Sequence, residues 1–191
     1  MAASAVREVL RQHGVVGFPT ETFYGLGADP SDPIALERVH ALKRRAADKA
    51  LPVVGASLDQ LESLVLLQPG VRELLAAVWP APLTVVLPAR GALSGGATSL
   101  AVRVPDHGLL RSLLARVGPL TATSANRAGE RPLARAAEVA ALLGPELALL
   151  LDGGKSAGDA PSTLVDLTVQ PPKLLRQGGF LLPVGWAVRT T

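Results

Sequence analysis

The sequence predicts a single α/β domain built on a twisted, open mixed sheet with helices on its faces. Three observations carry that expectation. Helical segments alternate with short apolar runs over the first half of the chain, and the later runs follow one another more closely. Of the 191 residues 48% are hydrophobic but only 3% aromatic, so the core must be Ala, Leu and Val packed between helices and a sheet. Polar residues with binding potential cluster just after apolar runs, where open α/β sheets carry their ligands. No repeat, linker or low-complexity stretch interrupts the pattern, so residues 1–191 are read as one domain.

Residues 3–13 read as a helix, with Val6, Val9 and Leu10 inward and Gly14 as its stop. A buried strand follows at 15–18. Residues 19–27 read as a loop of hydroxyls, one carboxylate and two glycines that does not match the dinucleotide pattern GxGxxG. Asp32-Pro33 starts a helix that runs through Ile34, Leu36, Val39 and Leu42, with aspartate as N-cap and proline in the first turn. Residues 51–55 are the next strand, and Ser57 to Gln60 form a capping box that turns Leu58, Leu61, Leu64 and Val65 inward. A helix at 71–79 is closed by Pro80, and strands at 83–87 and 100–104 flank a loop rich in Gly, Ser and Thr. Arg103 stands inside the second of these strands, where an unpaired charge would be costly, so it should meet an anion. A helix at 107–116, a strand at 120–123, a helix at 135–143 and a strand at 147–151 come next. Asp152-Gly153-Gly154-Lys155-Ser156 imitates the end of a phosphate-binding P-loop, but Leu149 stands where that motif needs glycine. Short strands at 163–167 and 174–176 precede an apolar tail with Trp186.

Composition narrows the chemistry. The net charge is +3 and the pI about 9.8, with fifteen arginines against four lysines, an excess suited to bidentate contacts with phosphate or carboxylate. Few aromatics argue against a base-stacking platform for single-stranded nucleic acid. Without cysteine there are no disulfides, thiolate metal sites or cysteine nucleophile, and the isolated His13, His40 and His107 argue against a protein-held zinc. The N-terminus opens an amphipathic helix and no run reaches eighteen apolar residues, so a soluble cytoplasmic protein without membrane contact is expected.

Two stretches stand out. Lys43-Arg44-Arg45-Ala46-Ala47-Asp48-Lys49 holds two of the four lysines at one helix-to-strand junction, more than a solvated helix end requires. Thr121-Ala122-Thr123-Ser124-Ala125-Asn126 offers hydroxyls and an amide beside small residues that let a ligand approach the backbone. In a concave sheet Thr22, Lys43, Arg45, Arg103, Ser124, Asn126, Ser162 and Arg176 would converge.

These residues make the chain resemble the YrdC/TsaC family of threonylcarbamoyl-AMP synthases. Residues 19–27 resemble the family's P-T-E-T-x-Y-G-L-G, Lys43 and Arg45 its K-x-R, and residues 101–105 its V-R-x-P. Ser124-Ala125-Asn126 resembles its S-x-N, residues 162–166 its S-T-[IL]-V-D, and Arg176-Gln177-Gly178 its R-x-G. The six motifs occur in order over about residues 10–180. The resemblance implies a large positively charged cavity holding ATP and L-threonine side by side. On that reading Lys43, Arg45 and Lys49 face the phosphates, with Lys43 and Arg45 also catalytic, and Ser99, Ser124, Asn126 and Arg176 complete the nucleotide site. Threonine is held by Thr22, Arg103, the Ala122 backbone and Ser162. Magnesium comes with the ATP phosphates, bicarbonate or CO2 is the third substrate, and the product passes to a tRNA threonylcarbamoyl transferase complex for modification at position 37 of ANN-decoding tRNAs. Val54 stands where relatives often carry a threonine-contacting histidine, and Ala50 where they often carry proline. Two rival readings are a YrdC-like paralogue that binds or hydrolyses nucleotides or adenylates, and an RNA-binding factor whose basic cavity contacts tRNA weakly.

Overall fold

The computed structural model describes residues 2–45, 50–91, 97–186 and 188–190, which leaves Lys49 and residues 92–96 outside the described set. Helix α1, Ala2–Arg11, buries Val6. The left-handed residue after it is His13, with φ 57°, rather than the expected Gly14. Gly14 is required for space instead, because a Cβ there would lie 2.5 Å from Val9 Cγ1 and 2.8 Å from Val9 O.

Strand β1, Val16–Phe18, pairs antiparallel with β2, Gly25–Gly27, so the last third of the expected loop at 19–27 is a strand. Packing explains the difference. A Cβ on Gly27 would come within 2.3 Å of Phe18 Cε1, so only glycine lets that buried ring lie across β2. Helix α2, Pro33–Lys43, begins where Asp32 accepts from the N–H groups of Ile34 and Ala35. Strand β3 is Val53–Val54, the Ser57-capped helix α3 is Leu58–Leu61, and α4 is Pro69–Val78. Strands β4, Leu83–Pro88, and β5, Ser99–Arg103, form an antiparallel pair. Helix α5, Gly108–Val117, is capped by His107 Nδ1, which accepts from the Leu110 N–H.

The expected strand at 120–123 divides in two. Strand β6, Leu120–Thr121, pairs with β3, whereas β7, Thr123–Ser124, pairs with β2. Ala122 is the crossing point, and its N–H donates to Pro52 O. Thr121 secures the crossing, since its Oγ1 accepts from the Ala28 N–H at 2.9 Å and its own N–H donates to Ala28 O. Helix α6 is Ala136–Leu143, and of the expected strand at 147–151 only β8, Leu149–Leu150, joins a ladder. Strands β9, Thr163–Asp166, β10, Lys173–Arg176, and β11, Arg189–Thr190, close the described chain.

Two mixed sheets therefore replace the single expected one. The smaller has the order β7-β2-β1-β8 and the larger β11-β10-β9-β4-β5-β3-β6. Three apolar clusters hold them. Leu26, Val39, Leu42, Val139 and Leu143 pack α2 and α6 on the small sheet. Leu75, Leu83, Val85, Val102 and Val165 seat α4 on the large one. Val6, Phe18, Val54, Leu114 and Leu120 join α1 and α5 to both sheets. Fully burying side chains of this size contributes about 1.5–3 kcal/mol each. The aliphatic core expected from composition is thus the core observed, and it fixes the two sheets around the strand that passes between them.

Candidate active site

Where the sheets meet, the chain leaves a cavity of about 550 Å3. That volume lies within the range of small-molecule sites. Nine of the eleven residues expected at the site line it: Thr22, Lys43, Arg45, Arg103, Ala122, Ser124, Asn126, Ser162 and Arg176. Ser99 does not. It lies on the same face of β5 as Ala101 and Arg103, one pleat beyond the wall that those two residues form. Lys49 lies outside the described residues. Four cations and no carboxylate are among the described lining residues, so the wall offers hydrogen-bond donors to an anionic ligand.

The junction after α2 is not a solvated helix end at Lys43. Arg44 caps the helix in the left-handed region at φ 49°, and the Arg45 N–H donates back to His40 O. This tight exit turns Lys43 inward, where only 4% of it is exposed. All three of its N–H donors find acceptors: Ser124 O at 2.6 Å, Asn126 O at 2.9 Å and Asn126 Oδ1 at 3.2 Å. Lys43 therefore ties α2 to the segment that leaves β7. Burial, with a smaller contribution from the Arg45 charge, holds its amine down at about 8. Asn126 is equally committed, because its Nδ2 donates to Arg127 O at 2.9 Å and Glu130 O at 2.7 Å. Arg45 is different. Its Nε is buried without a hydrogen-bond partner among the described residues, and its side chain lines the cavity. Of the two described cations of this corner that line the cavity, Arg45 is the one whose donor has no protein partner among the described residues.

On the opposite wall Arg103 is 6% exposed, as its place in an apolar strand predicted, but its anion belongs to the protein. Nη1 donates to Glu21 Oε1 at 2.8 Å. Burial pushes the Glu21 carboxyl up while Arg103 pulls it down, and burial lowers the guanidinium against the opposing effect of Glu21. Beside this pair Arg176 donates through Nε and Nη2 to Ser162 O, at 3.1 and 2.9 Å, and through Nη2 to Ser162 Oγ at 3.2 Å. Ser162 Oγ also lies 2.9 Å from Thr84 Oγ1, a buried hydroxyl on β4 that sequence reasoning did not single out. Arg176, expected in the nucleotide half, is thus bonded to a residue expected in the amino-acid half.

Thr20 Oγ1 accepts from the Thr22 N–H at 3.1 Å and donates to Phe23 O at 2.7 Å, a hydroxyl-stabilised turn that sets the Thr22 hydroxyl in the wall. The N–H of Ala122 is taken by Pro52 O, so a ligand contact at that backbone falls to its carbonyl. Gly178 has no room for a side chain, since a Cβ would lie 2.2 Å from Pro161 O and 2.5 Å from Thr163 N. That contact seats β10 against the Ser162 segment. Among the described residues no group of three or more His, Asp or Glu side chains could hold a metal ion. Sequence reasoning missed Glu21 and Thr84 as members of the site. Their only signal was the place of Glu21 between two threonines and of Thr84 in an otherwise apolar strand.

Comparison with known proteins places the same residues in a wider setting. The family described as Telomere recombination, which groups Sua5, YciO and YrdC, matches residues 8–178. The threonylcarbamoyl-AMP synthase of Chromohalobacter salexigens is 47% identical over 164 residues, covering 83% of this chain and 88% of that protein. The synthase of Vibrio parahaemolyticus is 37% identical over 181 residues, covering 91% and 97%. The synthase of Pyrococcus abyssi is 40% identical over 179 residues, and this chain spans about half of its length, 53%. The crystal structure of P. abyssi Sua5 complexed with L-threonine aligns with a TM-score of 0.86 at 38% identity over 93% of this chain and 54% of that one. Escherichia coli YciO shares the fold, with a TM-score of 0.83 at 22% identity.

Proposed function

Because this chain belongs to the Sua5/YciO/YrdC family, we propose that it is a threonylcarbamoyl-AMP synthase that joins L-threonine, bicarbonate or CO2, and ATP. One observation carries the reading. A single cavity is lined by four cations and several hydroxyls, without a lining carboxylate among the described residues, in a chain 47% identical to a protein of that name. Its chemistry is nucleotidyl transfer. The neutral threonine amine adds to CO2 and loses a proton to solvent to give a carbamate, a carbamate oxygen attacks the α-phosphate of ATP, and pyrophosphate leaves with the electrons of the broken P–O bond. Such a transfer depends on positioning and on neutralising charge more than on proton transfer. Arg45, with its free buried Nε, serves the phosphates, while Lys43 and Asn126 hold the loop against which the nucleotide lies. Arg103, with Thr22, Ser162 and the Ala122 carbonyl, takes the amino acid, and the complex of the P. abyssi relative with L-threonine supports threonine as that amino acid.

Magnesium enters as part of the ATP complex. Its coordination comes from the phosphates and water, as is usual for magnesium bound with a nucleotide. The product is consumed by a transferase complex acting on position 37 of ANN-decoding tRNAs, and the chain works in the cytoplasm. None of the described helices is long and apolar enough to cross a membrane.

The test is a reconstitution. Pure protein with ATP, magnesium, bicarbonate and labelled threonine should yield a threonine-containing adenylate and pyrophosphate in the absence of RNA. Pyrophosphate release that ignores threonine would replace this reading with that of a nucleotide-hydrolysing paralogue.

A further inference from the structure

The Arg103 ion pair is built asymmetrically. Glu21 is bonded to one nitrogen of the guanidinium only, Nη1, at 2.8 Å, and no other hydrogen bond of that side chain is formed among the described residues. A guanidinium carries five donors in a fixed fork. Arg103 lines the cavity, whereas Glu21 does not, although both of its neighbours in sequence, Thr20 and Thr22, do. The carboxylate therefore approaches Arg103 from behind the wall. The turn closed by Thr20 Oγ1 on Thr22 N and Phe23 O keeps it there. Both partners are shielded, their side chains being 12% and 8% exposed, so the contact is little weakened by solvent or salt.

Charge points the same way. Two guanidiniums, Arg103 and Arg176, stand close enough to repel, and Glu21 is the carboxylate paired with this cluster. With Glu21 ionised these three groups carry one net positive charge, and Asp106 and His107 lie within electrostatic reach of the Glu21 carboxylate. Without Glu21 the cluster would hold two positive charges, and no protein acceptor among the described residues would fix the direction of the Arg103 fork.

We propose that Glu21 is a positioning residue: from behind the cavity wall it fixes the Arg103 guanidinium by one nitrogen, so that the remaining donors of the fork meet the carboxylate of the amino-acid substrate. This rests on the threonine-binding reading of the cavity and deepens it. Glu21 touches no substrate, and its effect passes wholly through Arg103.

A double-mutant cycle read on the threonine requirement tests this. Glu21→Ala and Glu21→Gln are made in the native and the Arg103→Lys backgrounds, and the threonine KM, kcat, ATP affinity without threonine, and unfolding midpoint are measured. Glu21→Ala should raise the threonine KM about tenfold while kcat changes less than threefold and ATP affinity stays unchanged. Glu21→Gln keeps an oxygen acceptor in place and should fall between the two. In the Arg103→Lys background the same changes at Glu21 should add less than twofold, because the group they act through is already altered. Independent, multiplying effects at the two positions would overturn the proposal, as would a threonine KM that falls or stays constant when Glu21 is removed. Should Glu21→Ala fail to fold, Glu21→Gln alone decides between those outcomes. A native protein that neither binds nor uses threonine would remove the underlying functional reading, and this inference with it. A native protein that needs threonine but is indifferent to Glu21 removes the inference alone.

Discussion

Replacing Lys43 with methionine separates holding the loop from holding the nucleotide. The substitution keeps the apolar stem but removes three donors, at 2.6, 2.9 and 3.2 Å from their acceptors, and leaves Ser124 O and Asn126 O buried without a lysine partner. Charge-assisted bonds contribute roughly 1.5–3 kcal/mol each, and three that share one ammonium together contribute less than their sum, about 3–6 kcal/mol. Against this stands the cost of keeping the ammonium buried. A pKa lowered from 10.5 to about 8 corresponds to roughly 3 kcal/mol near neutral pH. The difference is about 0–3 kcal/mol, and the Ser124 and Asn126 carbonyls left without their donor put Lys43→Met in the upper part of that range, about 1–3 kcal/mol. For a chain of this length each kcal/mol moves the midpoint about 2–4 °C, so thermal unfolding should fall by roughly 5 °C. The nucleotide titration should weaken in parallel, because the loop is no longer tied to α2. Arg45→Ala is the control: its Nε bonds no protein group among the described residues, so ATP affinity should drop about tenfold with the midpoint unmoved. If Lys43→Met lost ATP binding yet unfolded at the native temperature, the lysine would be serving the phosphates directly and its role as a tether would be refuted.

Three further outcomes are expected. Arg103→Lys should raise the threonine requirement about tenfold, roughly 1.4 kcal/mol, because an ammonium cannot bond Glu21 and a planar carboxylate with a fixed fork, while ATP affinity without threonine stays level. Equal weakening of both ligands in calorimetric titrations would remove the division of the cavity into two halves. With its amine near 8, Lys43 is partly neutral in the free protein at pH 8.5, and nearby phosphates favour the ammonium. ATP binding should therefore take up part of a proton at pH 8.5 and almost none at pH 6.5, which calorimetry in buffers of different ionisation heat reads directly; no uptake at the higher pH would contradict the lowered amine. Gly178→Ala drives a Cβ into Pro161 O and the Ser162–Thr163 peptide, so it should cost about 1–3 kcal/mol of stability and raise the threonine KM together. A threonine KM at the native value would show that the R-x-G glycine does not seat Ser162.

Local rules located most helices well. The Asp32-Pro33 start, the Ser57 cap and the helix before Gly118 stand within a residue or two of their expected places, because caps and turn residues act over three or four positions. The sheet was less legible. Residues 120–124 mix apolar and small hydroxyl side chains that suit either sheet, and the division at Ala122 depends on Pro52 and Ala28, which lie far away in the chain. The expected loop at 19–27 failed for a related reason: Gly25 and Gly27 read as turn residues, but they are small because the Phe18 ring needs the space above β2.

The candidate site divides along the same line. Residue type and order singled out eight of the lining residues, the family resemblance added Ala122, and the sequence required that the buried guanidinium of Arg103 meet an anion, since an arginine in an apolar strand cannot stay unpaired. What the sequence could not contain was the direction in which each side chain points. Lys43 reaches its acceptors across 81 and 83 residues, Arg103 finds Glu21 across 82, and Thr84 meets Ser162 across 78. Only the packing of two sheets, joined where the chain crosses between them at Ala122, brings such groups within 3 Å. That packing made Lys43 an inward tether, left Arg45 Nε without a partner among the described residues, and gave the buried Arg103 a protein carboxylate.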